Sequence, residues 1–242
     1  MKYLKMALLF CFAMLLAIDL ANCHAQENSS PESVASLLKA GTPASQIQLA
    51  AKLGVKGAGP QRGLESCDIQ TDRPSLEHNL DTAILRVLCG SDFNLILFGR
   101  APRGQWGKLD SVDFYDPYDA LHLRYQSLIH PGIQEIAIDN AATVSGNLYQ
   151  AYFLVIRVIS GHFKTALAIY ETGYEPHVGS SPRILKSTIN IHPATPTSVG
   201  EIAQLAKVTD GKRSFDVSST YSWNESLGAF SKDGIDVISR QK

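Results

Sequence analysis

The chain has 242 residues, with 22 Lys and Arg against 23 Asp and Glu, a formal net charge of −1 and four cysteines. Charge this balanced offers no basic surplus for a nucleic-acid partner and no acidic tail of the disordered, solubilising kind. Apolar residues make up 45% of the sequence, enough to bury a domain-sized core.

Lys2 and Lys5 precede an unbroken apolar run from Met6 to Ile18, and small residues follow as far as Ala25. The run falls short of the ~20 residues a helix needs to span a bilayer core, so residues 1–25 read as an export signal. Two processing sites compete. Cys23-His24-Ala25 suits ordinary cleavage before Gln26, whereas Leu20-Ala21-Asn22-Cys23 loosely resembles a bacterial lipoprotein box that would acylate Cys23. Asn22 stands where such a box carries a small residue, which favours cleavage after Ala25. No later segment is apolar for long enough to span a membrane as a helix. Taking Lys2 and Lys5 from the 22 basic residues and Asp19 from the 23 acidic ones leaves 20 and 22, a net charge of −2. Cys11 lies in the signal and Cys23 is lost or lipidated, so Cys67 and Cys89 remain. In an oxidising compartment they suggest one disulfide, which on the chain-entropy model stabilises by roughly 3 kcal/mol.

Residues 26–63 form a polar leader, a helical hairpin and a hinge loop. Ser33 is placed to cap a helix over 34–39 carrying Val34, Leu37 and Leu38, and a second helix over 44–53 puts Ile47, Ala50 and Ala51 on one face. Gly54 ends it, and 57–63 with Gly59-Pro60 is a loop. Residues 64–242 change to β-branched and aromatic residues between turn signals. Strands are predicted over 83–89, 93–98, 108–115, 121–127, 134–138, 149–160, 163–174, 184–191, 202–209, 214–223 and 229–231. Turns are expected at Gly90-Ser91-Asp92, His130-Pro131-Gly132, Asn140–Asn147, Ser160-Gly161-His162, Asp210-Gly211 and Asn224–Gly228. The fold class is therefore mainly β: an antiparallel sandwich, barrel or partial propeller behind a short N-terminal helical hairpin.

The stretch Asp210-Gly211-Lys212-Arg213 through Tyr221-Ser222-Trp223-Asn224 to Phe230 resembles the closing hairpin of exported bacterial β-rich proteins, in which a Tyr-x-Trp-Asp/Asn turn precedes an aromatic residue. The resemblance covers about a tenth of the chain. It implies location and β architecture and transfers no site.

Candidate chemistry is sparse. Asp110, Asp113, Asp116 and Asp119 stand three residues apart, and an exported chain can use such a run for calcium. Strand alternation, however, sends Asp110 and Asp113 to opposite faces, and the central Gly of an EF-hand-like loop is missing. The six histidines that follow residue 25 are scattered and form no zinc-ligand spacing. Ser36-Leu37-Leu38-Lys39 matches a Ser-x-x-Lys spacing without its companion elements, and no Gly-x-Ser-x-Gly elbow occurs. Glu135, Asp139, Glu171 and Glu175 offer acids for glycosidic cleavage, but no choice of pair stands out. Aromatic side chains remain as candidate binding groups. These are Trp106 between glycines, Tyr115 and Tyr118, and the pair Tyr221 and Trp223, which share one strand face.

The favoured expectation is an exported, non-catalytic binding or envelope-associated module without a cofactor, its partner an envelope component or glycan. The competing class is a hydrolase whose residues converge only in the fold. A third is a structural lipoprotein tethered through Cys23.

Overall fold

The computed structural model describes residues 30–40, 42–56, 67–100, 104–116, 121–145, 148–174, 183–210 and 213–240. Among these residues two helices come first, α1 (Pro31–Ala40) and α2 (Pro43–Leu53). Each begins on a hydroxyl residue followed by proline, which needs no N–H partner at a first helical position. Ser30 Oγ accepts from the Ser33 N–H at 3.3 Å, so the cap of α1 is Ser30 rather than Ser33. Thr42 caps α2, and Gly54 closes it with φ of 74°, its N–H turned back to the Ala50 and Ala51 carbonyls.

Twelve strands follow: β1 (Asp68–Asp72), β2 (Asp81–Cys89), β3 (Asp92–Arg100), β4 (Gly107–Tyr115), β5 (His122–Gln126), β6 (Glu135–Ser145), β7 (Leu148–Ile159), β8 (His162–Tyr174), β9 (Arg183–His192), β10 (Glu201–Asp210), β11 (Arg213–Asn224) and β12 (Ala229–Arg240). All pair antiparallel in one meander, with β5 joined to the side of β6. The pairing narrows at two places. Among the described residues β4 meets β6 only at Tyr115↔Ala142, and β8 meets β9 only at Gly173↔Ile184 and Tyr174↔Arg183. A twisted sheet of this many strands does not stay open and flat. The narrow links let it fold into three four-stranded leaves, β1–β4, β5–β8 and β9–β12, and it does not close into a barrel among the described residues.

The leaves stack face to face, and the helices cover the first. Val34, Leu38, Leu49 and Leu53 pack on Ile69, Leu85, Val87, Ile96 and Phe98. The opposite face of that leaf, through Ile84, Leu95 and Leu97, meets Ile136, Ile138, Ile156 and Val158 of the second. Ala137, Phe153, Val155, Leu167 and Ile169 then meet Ile202, Tyr221 and Phe230 of the third. Strands β2, β3, β6 and β7 are thus buried on both faces, which is why they read as apolar runs rather than as alternation. In β10 alternation returns: Ile202, Gln204, Ala206 and Val208 point inward, while Glu201, Leu205 and Lys207 face solvent.

The disulfide Cys67–Cys89 forms, with Cα atoms 4.4 Å apart, and ties the start of β1 to the end of β2 beneath the helices. A second tie links β1 to β5. The Tyr125 hydroxyl donates to Asp72 Oδ2 at 2.7 Å, and Arg86 Nε lies 2.7 Å from the same carboxylate. Burial first, and the neighbouring Asp72 second, push the Tyr125 phenol well above its usual range.

Three elements depart from the sequence expectation. β1 carries one apolar residue, Ile69, so it has no hydrophobic pattern to read. Within the turn expected at Asn140–Asn147 the start is a bulge, with Asn140 at φ of 55° and a register shift between Ile138 and Ala141, after which β6 continues to Ser145 opposite Leu148 of β7; Gly146 and Asn147 lie outside the described residues. β12 likewise runs to Arg240, because register shifts in its pairing with β11 accommodate Lys232-Asp233-Gly234.

Candidate functional site

A cleft of about 320 Å³ opens at one end of the first leaf, where the β1–β2 connection meets the start of β2 and the end of β3. That volume is at the small end of ligand sites, which run from ~300 Å³ upward. The connection is held from both sides. The Thr82 hydroxyl donates to the Pro74 carbonyl and accepts from the Leu76 N–H at 3.2 Å. Gln134 donates its N–H to Ser75 O at 2.7 Å and accepts the Ser75 N–H at 3.0 Å through Oε1.

Trp106 lies against this cleft, just ahead of β4. Its side chain packs into the core shared by the helices and first leaf and is only 8% exposed. Two guanidiniums lie over its ring, Arg73 at 4.2 Å and Arg100 at 5.0 Å from the centroid. Each also binds a carboxylate. Arg73 donates Nε and Nη2 to Glu32 of α1, at 2.9 Å and 2.5 Å to Oε1 and 2.6 Å to Oε2. Arg100 donates Nε at 3.1 Å and Nη2 at 2.6 Å to Asp81 Oδ2. Burial raises the Glu32 carboxyl, but the Arg73 bonds, its own backbone N–H and Ser30 outweigh that and hold it below the usual carboxylate range. The arrangement sets two planar cations against one buried indole, each of them already holding a carboxylate.

Neither arginine stands out in the sequence. One signal for Arg100 is nevertheless present: the tight turn between Cys89 and Asp92 sets the β2–β3 register and places Arg100 directly opposite Asp81. Nothing local points to the Arg73–Glu32 pair, whose partners come from different elements.

Trp106 does not project from its loop as its flanking glycines suggest. Tyr115 is 40% exposed at the end of β4, and Tyr118 lies outside the described residues. Tyr221 is buried, its hydroxyl donating to Gln204 Oε1 at 3.2 Å. Trp223 shares that face, packs edge-on to Phe230 at 5.5 Å and has the Arg157 guanidinium 4.6 Å from its centroid. Its Nε1–H donates to Glu225 Oε2 at 2.5 Å. The two tryptophans belong to different layers, so they do not form one aromatic platform.

The aspartate run is dispersed. Asp110 accepts the N–H groups of Phe163 at 2.9 Å and Ser111 at 2.8 Å, with His162 Nδ1 at 3.5 Å. Burial raises its carboxyl, and these partners outweigh burial to bring it below the usual range. Asp113 takes Lys56 Nζ at 2.7 Å. Asp116 is buried and accepts the Leu121 N–H at 3.3 Å, and Asp119 lies outside the described residues, as does Cys23. Among the described residues no group of three or more His, Cys, Asp or Glu is placed to hold a metal ion.

The buried acids serve the backbone. Glu135, 1% exposed, accepts the Leu128 N–H at 2.7 Å and faces Arg157 Nε at 3.9 Å. Burial pushes its carboxyl up, against the pull of the Leu128 N–H and Arg157. Glu171 accepts the N–H of Asn140 at the bulge at 2.6 Å, and burial raises it too. Asp139 pairs with Arg124 at 2.8 Å, and Glu175 lies outside the described residues. Comparison with protein-family models, curated proteins and solved structures finds no match to this chain.

Proposed function

We propose that this chain is an exported, non-catalytic binding module that works at the cell envelope, with the Arg73–Arg100–Trp106 cleft as its recognition surface and an envelope component or glycan as its partner. The observation that carries this reading is the cleft itself, two guanidiniums held over one buried indole in a recess framed by backbone-locking hydrogen bonds. Export is supported by residues 1–25 and by the Cys67–Cys89 disulfide, a bond that persists in oxidising compartments. Among the described residues no helix is long and apolar enough to cross a membrane. The non-catalytic part is supported by Glu135 and Glu171, two of the candidate acids, each of which accepts a backbone N–H.

The test uses protein beginning at Gln26, mixed with a panel of purified envelope polysaccharides. Retention on at least one of them, lost in Arg100→Gln and without release of reducing ends, is the expected result. Release of reducing ends would replace the reading with the hydrolase.

A further inference from the structure

The two arginines of the cleft differ in what holds them. Asp81, the partner of Arg100, sits on the same hairpin in direct register, so that pair is built into the sheet. Glu32, the partner of Arg73, comes from the first turn of α1, and both side chains of the pair are about half exposed. A carboxylate from a separate element thus fills the fork of Arg73, which itself lines the cleft. Arg73 is kept in place without it, because its guanidinium also rests over the Trp106 ring. Exposed pairs of this kind are weak, so a competing anion has little to overcome.

We infer that Glu32 is an internal stand-in for the ligand, and that the cleft takes a carboxylate-bearing saccharide, a uronate, whose carboxylate displaces Glu32 from Arg73. This rests on the cleft being a binding surface. The planar fork selects a carboxylate in the geometry Glu32 already shows. Beside it the recess offers the apolar Pro74 and Leu80 and the Ser75 hydroxyl, a mixture that fits a hydroxylated ring with C–H faces. The uronate belongs either to a polysaccharide or to a free sugar acid, and both present the same group.

The experiment uses protein beginning at Gln26 and carrying Trp223→Phe, which leaves Trp106 as the one fluorescent indole of the two in the chain. It is titrated with digalacturonate, galacturonic acid, the methyl ester of digalacturonate and a glutamate dipeptide. Saturable change in Trp106 emission with digalacturonate is expected, absent with the ester. Arg73→Gln weakens it at least about tenfold, the scale of a lost charge-assisted hydrogen bond. Glu32→Gln strengthens it about three- to tenfold, because the internal competitor is gone. Both variants keep the parent's urea midpoint. Equal response to the monomer assigns the ligand to free sugar acids, and response to the disaccharide alone assigns it to a chain. Equal binding of the ester overturns the carboxylate inference while leaving the cleft a binding surface. Equal binding of the dipeptide overturns the saccharide. Silence with every probe overturns the inference, and polysaccharide retention then decides the broader reading on its own.

Discussion

Both tryptophans of this chain lie under arginine, and the two settings do different work. Over Trp106 the guanidiniums of Arg73 and Arg100 reach the lining of an open cleft and hold carboxylates at the surface. Over Trp223 the guanidinium of Arg157 faces inward toward Glu135, which holds the loop at Leu128. That loop bonds in turn to the third leaf, through Ser127 O to Ala194 N–H and Leu128 O to Gly200 N–H, both at 2.7 Å. The second arrangement is a brace between leaves, and the first borders the cleft proposed above as the binding surface. The same pair of residue types therefore says little about role until the partner of the arginine is known.

The sharpest way to break the brace is at Gly200, where a Cβ would lie 2.6 Å from Leu128 O and 2.7 Å from His192 O. Backbone cannot yield there as a side chain would. Gly200→Ala is expected to cost about 3 kcal/mol in urea unfolding, the upper range for overpacking. Arg157→Gln comes next, since it leaves a buried Glu135 without its cation. About 2 kcal/mol is expected at pH 7, less than for a fully enclosed pair because Arg157 is partly exposed and 3.9 Å away. If its loss matches that of an ordinary surface arginine, the brace does not exist.

The pH dependence sharpens the same point. With its carboxyl raised by burial, Glu135 binds a proton more tightly in the folded state than in the unfolded one. Its effect is then most favourable below the ordinary carboxylate range and is lost as pH rises through the folded value. Urea midpoints of the parent and Glu135→Gln, compared between pH 4 and 8, are expected to converge toward the acid end and to separate as pH rises, the variant gaining on the parent. Glu171 acts with the same sign in both proteins, and Asp110, lowered, with the opposite sign, so the difference isolates Glu135. The smallest effect belongs to the cleft. Arg73→Gln breaks an exposed pair and should change stability by less than about 1 kcal/mol, although it removes half of the cationic surface. A large loss of stability there would erase the contrast between brace and site.

Much of the fold is legible in the sequence because turns and apolar runs coincide. Ser160-Gly161, both at positive φ, closes β7 onto β8 where expected, and β2, β3 and β7 announce themselves as dense β-branched and aromatic runs. β1 is not legible, because a polar edge strand pinned by a disulfide and by Arg86 needs little apolar area of its own. The second half of β6 is hidden because Asn140 looks like a turn residue, and here its positive φ serves a bulge. The docking of the helices depends on Leu38 and Leu53 meeting Leu85 and Val87, contacts that periodicity alone does not assign. In the cleft Trp106 is visible as a candidate, but its burial and its arginines follow from tertiary packing that links α1, the β1–β2 connection and β3.

The reading of the molecule as an exported binding module rests first on where it is processed. Intact mass of the protein recovered from its native host, measured reduced and non-reduced, tests this most directly. The account predicts a chain beginning at Gln26 that gains two hydrogens on reduction, from the Cys67–Cys89 bond. A chain retaining residues 1–25, with both thiols free in the non-reduced sample, would contradict it.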